Sequence, residues 1–294
     1  MTPPYTRSCT MGIYSDILLT VDFDLTLTAP DNTIPQRNLD AIRYFMANGG
    51  AFTVNTGRSL GMIRKYLDII PVNAPLLLYN GSAAYDTQTQ DFAFCHTIDL
   101  DMAQTLRECL ADFPDMVVEI QGKDNHYIFR EDPLWTAYAD DCDCCGGVVR
   151  PEDDLGPFIK LTLYGQFHEP TVSHLFRATP EEMARCTEVE QALRRRYGEF
   201  VEVFRSGARI IDVHTKGISK ARSARQLQAQ LGRKILVCVG DGENDVPMLQ
   251  NADHAFCPAG SVICDRFPNV CHCADGAVAD VIFKKIPEIL NVQP

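Results

Sequence analysis

The stretch ILLTVDFDLT, residues 17–26, decides the fold. Its first five residues are apolar or β-branched and are followed at once by acid, which is typical of a buried parallel strand. An amphipathic helical pattern runs from Pro35 to the glycines after Asn48, and a second strand pattern covers residues 51–55. A strand, a helix and another strand in this order predict a right-handed parallel crossover. The segment is therefore expected to open an α/β core.

The same pattern continues along the chain and returns near its C-terminal end. A third apolar run covers residues 75–79, and a further strand pattern covers residues 234–239. Between them, short alternating strand patterns mixed with helical stretches indicate an inserted α+β domain with an antiparallel sheet. We predict a Rossmann-like parallel-sheet core of residues 1–82 and 214–294, and an inserted domain of residues 83–213.

Composition limits the possible classes of function. The formal net charge is −12, which suits nucleic-acid binding poorly because a phosphate backbone must be neutralised by Lys and Arg. Binding of one small anion remains compatible with this net charge, since a bound metal and a few cations set the local electric field. No apolar run is long enough to cross a bilayer, and the first residues lack a signal-peptide pattern. We expect a cytoplasmic protein that binds neither nucleic acid nor membrane. Its oligomeric state is not readable from the sequence.

Twelve cysteines occur in the chain, with clusters around Cys142 and Cys271. Their spacing does not match the paired CxxC knuckles of structural zinc sites. Reduced thiols in mostly buried positions are the expected state. A thiol-based metal or redox role is the alternative.

Polar side chains gather where the predicted core strands end. They are Asp22 and Asp24 after the first strand, Thr56-Gly57-Arg58 after the second, Asn80-Gly81 after the third, and Asp241 and Asp245 after the strand at 234–239. Ligands of open parallel sheets bind outside these ends. Close carboxylates repel unless a cation lies between them, and three carboxylates with a backbone carbonyl suit octahedral Mg²⁺. Each acid could instead cap a turn or a helix, but two acidic pairs at one sheet edge favour the metal site.

Four motifs resemble those of the haloacid dehalogenase superfamily of hydrolases. They are Asp22-Phe23-Asp24-Leu25-Thr26, Thr56-Gly57-Arg58, Lys220 within residues 216–220, and GDGENDVPML at residues 240–249. Their order and spacing are similar to the Cof-like branch, in which an α+β cap of type IIB is inserted after the third core strand. The resemblance covers nearly the whole chain.

The resemblance implies a role for each matched residue. Asp22 would attack phosphorus and form an aspartyl-phosphate, and Asp24 would protonate the leaving oxygen and then activate water. Mg²⁺ would be bound by the Asp22 side chain, the Asp24 carbonyl and Asp241, with Asp245 as a ligand or beside one. The residues expected to hold the phosphoryl oxygens are Thr56, Gly57, Asn80 and Lys220. Arg58 would contact substrate or pair with a nearby acid.

Two positions depart from the family pattern. Leu25 stands where members of the branch often have Gly, which adds bulk at the mouth of the site. Residues 256–261 stand where relatives often carry an Asn-Ala pair. Neither departure touches the expected nucleophile, acid or metal ligands.

The leading interpretation is a Mg²⁺-dependent phosphatase of a small phosphorylated metabolite, with sugar phosphates ahead of nucleotide or cofactor phosphates. An inserted domain over the acidic sheet edge would admit only small substrates. A phosphomutase of the same superfamily is one alternative, and a binding or regulatory protein without turnover is another. The presence of Asp22, Asp24 and Lys220 argues against loss of turnover.

Overall fold

The computed structural model describes residues 12–170, 175 and 177–291. They form two compact units, the first from residues 12–56, 67–93 and 219–291 and the second from residues 57–66 together with the described part of 94–218. Residues 57–66 thus group with the second unit and residues 83–93 with the first. The boundaries expected from the sequence, at 82/83 and 213/214, stay a prediction for the functional core and cap.

The elements alternate between strand and helix at both ends of the chain. In the described residues the strands are β1 Ile17–Val21, β2 Ala51–Val54, β3 Leu76–Leu78, β4 Ala83–Asp86, β5 Asp91–Cys95, β6 Val117–Gln121, β7 His126–Ile128, β8 Cys145–Val148, β9 Lys160–Tyr164, β10 Val201–Gly207, β11 Ile210–Thr215, β12 Ile235–Val239, β13 His254–Pro258 and β14 Asn269–Val270. The α-helices are α1 Gln36–Ala47, α2 Leu60–Arg64, α3 Met102–Asp112, α4 Pro133–Asp141, α5 Pro180–Tyr197, α6 Lys220–Gln230, α7 Val246–Gln250, α8 Ala277–Asp280 and α9 Ile286–Leu290.

The first unit is built on a parallel sheet with the strand order β14-β13-β12-β1-β2. Every residue of β1 is buried, as expected for a central strand covered on both faces. Val21 is the last paired residue of β1 and lies level with Val239 of β12 and Val54 of β2. The loops after these three strands therefore begin side by side at one edge of the sheet.

A sharp turn at residues 79–81 follows β3. Tyr79, Asn80 and Gly81 all have positive φ, at 52°, 55° and 94°. A side chain at Gly81 could not fit, because a Cβ there would lie 2.5 Å from the Ser223 Oγ and 2.7 Å from the Ser219 carbonyl. Glycine is needed at this position both for its left-handed backbone and for its close approach to the start of α6.

The second unit contains a six-stranded sheet with the order β10-β11-β9-β6-β7-β8. Its pairs are antiparallel except for β7 with β8. One face is apolar and packs against α3 and α5, with Val118, Leu161 and Ile211 among its buried residues. The opposite face carries polar residues at alternate positions, as the period of a strand requires.

Helix α4 and strand β8 were missed by the sequence analysis, although α4 has a readable start signal. Asp132 accepts hydrogen bonds from the backbone N–H groups of Leu134 and Trp135, and Pro133 occupies the first helical position. An aspartate followed by proline is a common way to begin a helix. The helix has only nine residues and buries mainly aromatic side chains, so its apolar periodicity in the sequence is weak.

Among the described residues, no helix combines the length and the apolar character that a bilayer crossing requires. The cysteines in this part of the chain are free thiols, and several are buried, including Cys109 and Cys238.

We predict that the free energy of unfolding falls less steeply with decreasing pH in His214→Gln than in wild type. Burial lowers the pKa of His214 to about 3, although Asp212 opposes the shift. Because this folded-state pKa lies below the unfolded value, the stabilising contribution is complete above about pH 6.5 and is lost as the pH falls. Urea denaturation at several values between about pH 6 and 4 measures the free energy of unfolding. Its slope against pH should be smaller in His214→Gln than in wild type by up to about 1.4 kcal/mol per pH unit. An identical slope in both proteins would contradict a neutral buried imidazole.

Candidate active site

The end of β1 is held between its two neighbouring strands. The backbone N–H of Asp22 donates to the Val239 carbonyl at 2.9 Å, and the N–H of Asn55 donates to the Val21 carbonyl at 2.8 Å. The Asp22 side chain is buried. The parallel ladders thus carry a carboxylate to the same edge of the sheet as the loop after β12.

Lys220 is the first residue of α6, and its side chain is buried between two carboxylates. The Ser219 hydroxyl caps this helix by accepting from the Arg222 N–H, which places Lys220 at its start. The ammonium donates to Asp22 Oδ1 at 2.5 Å and to Asp245 Oδ1 at 2.7 Å. Burial alone would lower the pKa of Lys220, but the two carboxylates outweigh it and raise this pKa. Lys220 therefore remains a cation.

Asn55 fixes the backbone of Lys220, and the sequence analysis did not identify it. Its amide nitrogen donates to the Lys220 carbonyl at 2.9 Å. Asn55 is fully buried. The signal that could have found it in the sequence is a polar residue at the end of the second predicted strand, directly before Thr56.

Asp245 organises the loop that follows β12. Its Oδ2 accepts from the N–H groups of Asp241 and Gly242, at 3.1 and 3.0 Å. Gly240 allows the close approach, because a Cβ there would lie only 2.6 Å from the Asp245 carboxyl carbon. Thr26 donates to Asp241 Oδ1 at 3.0 Å and so ties this loop to the one after β1.

The arrangement brings three carboxylates together. Oxygens of Asp22, Asp241 and Asp245 lie within 4.8 Å of one another. Burial and the charge of Asp245 raise the pKa of Asp22 to about 7, although Lys220 acts against the shift. Burial and the charges of Asp22 and Asp245 raise the pKa of Asp241 well above its usual range, although Thr26 and Lys220 act against the shift. One ammonium does not balance three carboxylates, and an all-oxygen donor set fits a hard divalent cation.

Asp24 and Leu25 lie in the irregular turn of residues 23–27. Asp24 is half-buried, and its charge contributes to the raised pKa of Asp22. Leu25 has φ 54° and ψ 10°, in the left-handed region. Side chains with a Cβ are strained there and glycine is not. The position therefore demands the backbone freedom that glycine would supply, and Leu25 adopts it at a cost.

We predict that Leu25→Gly is more stable than Leu25→Ala by about 1 kcal/mol, the reverse of the usual order. Both variants lose the same half-buried isopropyl group beyond Cβ, so they differ only in the Cβ atom that strains the left-handed backbone. Chemical denaturation of the two variants measures it. An alanine variant at least as stable as the glycine variant would show that the turn carries no such strain.

Thr56 and Asn80 are linked through their backbones. The N–H of Thr56 donates to the Leu77 carbonyl and the N–H of Asn80 donates to the Thr56 carbonyl, both at 2.9 Å. The Asn80 side-chain oxygen accepts from the amide of Asn244 at 3.5 Å. Asn244 was not predicted, although it stands inside the motif at residues 240–249. The turn after β3 is thereby connected to the acidic loop.

Gly57 and Arg58 belong to the second unit and contact other residues of that unit. The Gly57 carbonyl accepts from the Lys160 ammonium at 2.9 Å. Arg58 is buried, donates to the Met62 carbonyl at 3.3 Å, and lies 5.8 Å from the centroid of the Tyr66 ring. The roles expected of Gly57 in phosphate binding and of Arg58 in substrate contact stay predictions.

Residues 19–259 match the family model described as haloacid dehalogenase-like hydrolase. Among curated proteins, the HMP-PP phosphatase of Serratia proteamaculans is 24% identical over 277 residues, which cover 89% of this chain and 92% of that protein. Among solved structures, SMU.1108c from Streptococcus mutans has a TM-score of 0.76 at 18% identity and covers 92% of this chain and 98% of its own. The HAD subclass IIB sugar phosphatase BT4131 has a TM-score of 0.71 at 16% identity, covering 93% and 98%. These likenesses confirm the predicted fold class.

Proposed function

The chain belongs to the haloacid dehalogenase-like hydrolases and is a hydrolase of the phosphatase type, and on this premise we propose how it acts. It hydrolyses small phosphate monoesters through an aspartyl-phosphate on Asp22, with Mg²⁺ as its cofactor. The observation that carries the proposal is the buried ammonium of Lys220 between Asp22 and Asp245, with Asp241 in the same cluster.

Asp22 is the nucleophile and Asp24 the general acid and base. A carboxylate oxygen of Asp22 forms a bond to phosphorus while the bond from phosphorus to the leaving oxygen breaks and Asp24 protonates that oxygen. Asp24 then takes a proton from water, the water oxygen bonds to phosphorus, and the Asp22 carboxylate is released. The position of Asp22 at the end of β1, with its backbone N–H bonded to Val239, supports this role because a nucleophile on a rigid strand keeps its direction.

The cation-binding residues are Asp22 and Asp241, with the Asp24 carbonyl and with Asp245 as a further ligand or a neighbour of one. When bound, Mg²⁺ supplies positive charge that lets a carboxylate and a phosphoryl group approach each other. The crowding of Asp22, Asp241 and Asp245 around a single ammonium supports this assignment.

Thr56, Gly57, Asn80 and Lys220 hold the transferring phosphoryl group. Charge stabilisation and positioning carry most of the catalysis in phosphoryl transfer. The buried ammonium of Lys220 supplies the charge. The backbone hydrogen bonds of Thr56 and Asn80 fix the positions of two strand ends. Arg58 remains a weaker candidate for substrate contact.

Sugar phosphates are the favoured substrate class, ahead of nucleotide and cofactor phosphates. The structural likeness to a protein described as a sugar phosphatase supports the choice. A curated relative named HMP-PP phosphatase indicates the main competing substrate class. A phosphomutase would transfer the phosphoryl group to a second hydroxyl and release little free phosphate.

The test is a screen of phosphate monoesters in the presence of Mg²⁺, scored by released inorganic phosphate. Sugar phosphates, nucleotides, cofactor phosphates and HMP-PP form its arms. Release from sugar phosphates with the highest kcat/KM is the expected result. Preference for another arm would correct the substrate class, and transfer without release would favour the mutase. Absence of turnover on every compound would overturn the proposal.

A further inference from the structure

The polar face of the second unit's sheet carries a buried row of residues that the proposed chemistry does not use. Across the strands, His214 pairs with Lys160, Lys160 with Gln121, and Gln121 with His126. All four side chains are nearly or fully buried. Burying charged and polar groups is costly unless each one is engaged, so the partners of this row indicate what it does.

Lys160 has two partners, and one of them is a backbone carbonyl. Its ammonium lies 2.9 Å from the Gly57 oxygen, and 3.4 and 3.5 Å from the two carboxylate oxygens of Asp212. Asp212 also accepts from the hydroxyls of Thr162 and Ser206. The carboxylate is therefore supported by other donors, and the shorter contact of the lysine is to Gly57. A lysine serving only as a counter-ion would sit closer to the carboxylate.

His126 reaches the same segment two residues further along. Its Nε2 lies 2.8 Å from the Ser59 hydroxyl, and its Nδ1 lies 3.6 Å from the buried carboxylate of Glu119. Ser59 also caps α2 by accepting from the Met62 N–H at 3.2 Å. The sheet thus holds both ends of the short Gly57–Ser59 segment through buried side chains.

Thr56 directly precedes this segment. Its own N–H and carbonyl are bonded to Leu77 and Asn80, but the next residue is glycine, which has more backbone freedom than any other residue. The hydrogen bond from Lys160 to the Gly57 carbonyl restricts that freedom. A charge-assisted bond from a buried ammonium is among the stronger hydrogen bonds that proteins form.

We propose that Lys160 is a positioning residue for phosphate binding, which fixes the Gly57 peptide and through it the hydroxyl of Thr56, with His126 securing the adjacent Ser59. The inference rests on the proposed role of Thr56 in holding the phosphoryl group. Lys160 itself need not touch the substrate.

The first test compares Lys160→Met, Lys160→Arg and the matched control Lys123→Met, which changes an exposed lysine in the turn between β6 and β7. With the best substrate of the screen, Lys160→Met should lose about 10- to 100-fold in kcat/KM, mostly in kcat, because a small displacement of a phosphoryl-binding group is expensive. Lys160→Arg should recover most of the loss, since arginine can still donate to the carbonyl, and Lys123→Met should equal wild type. Wild-type kinetics in Lys160→Met would overturn the proposal.

The second test asks whether Lys160 acts through Thr56. In a Thr56→Ala background, Lys160→Met should change kcat/KM by no more than about twofold, because the group that it positions is gone. Full additivity of the two losses would show that Lys160 acts by another route. If Lys160→Met alone does not fold, the charge-neutral pair Lys160→Met with Asp212→Asn replaces it in both comparisons, and an undiminished kcat/KM in that pair would also overturn the proposal.

Amide hydrogen exchange separates this inference from the proposed function. Peptides covering residues 57–66 should exchange faster in Lys160→Met than in wild type, while peptides from α5 exchange equally. This result does not depend on turnover, so an inactive wild type would refute the phosphatase proposal alone. Unchanged exchange over residues 57–66 would refute the anchoring by Lys160 alone.

Discussion

Replacing Asp22 with asparagine is expected to abolish turnover while the protein remains folded. An amide is a poor nucleophile and forms no stable phosphoryl intermediate, so kcat should fall by about 10⁴-fold or more, as when other covalent nucleophiles are removed. Asp40→Asn is the matched control, because it makes the same chemical change on the exposed face of α1, where Asp40 pairs with Arg43. Phosphate release measures both variants. Turnover near the wild-type rate in Asp22→Asn would place the nucleophile elsewhere.

Stability provides a second readout for the same variant. Burial and Asp245 raise the pKa of Asp22 to about 7, above its unfolded value, so the folded protein retains a proton that the unfolded chain releases. By linkage, this group makes folding less favourable as the pH rises through that interval. In metal-free buffer at about pH 8, Asp22→Asn should therefore unfold at a temperature no lower than wild type. A marked fall in Tm would indicate that the contact with Lys220 stabilises the fold more than carboxylate crowding destabilises it.

The residues at the ends of the core strands could be predicted from the sequence, because they follow from the local apolar pattern and from a rule of sheet topology. An unbroken apolar run ending in acid identified β1, and parallel strands with crossover helices bring their carboxyl ends to one edge. That reasoning predicted Asp22 and Asp241 as neighbours without any knowledge of their contacts. The structure adds Asn55, whose amide holds the carbonyl of Lys220, and the linking contact of Asn244 with Asn80.

The remaining features depend on pairings between distant parts of the sequence. Lys160 and Gly57 are 103 residues apart, and no periodicity in either strand indicates that the lysine would reach that carbonyl. Leu25 shows a different limit. The sequence analysis interpreted its side chain as added bulk at the mouth of the site. In the structure Leu25 has a φ of 54°, so the main effect of leucine at this position is strain in the backbone. A backbone requirement of this kind is visible in a sequence only when glycine fills the position.

Removal of Mg²⁺ is expected to abolish turnover, and its addition to stabilise the protein. EDTA should silence the wild type and excess Mg²⁺ should restore it. At a concentration about 100 times the Kd, binding to the folded state alone would add about 2.7 kcal/mol to the free energy of unfolding. Thermal denaturation with and without Mg²⁺ measures this independently of activity. Asp40→Asn should show the full wild-type shift in Tm.

Asp241 and Asp245 should respond differently to substitution, although both lie in the carboxylate cluster. Asp245 already accepts from Lys220 with one oxygen and from two backbone N–H groups with the other, whereas Asp241 accepts from Thr26 through Oδ1. Asp241→Asn should therefore keep the apo protein folded and lose the Mg²⁺-induced rise in Tm together with turnover. Asp245→Asn should lower Tm even without Mg²⁺, because its amide nitrogen cannot accept the bonds that one of the carboxylate oxygens accepts. Equal loss of the Mg²⁺ shift in both variants, with unchanged apo stability, would instead make Asp245 a direct ligand.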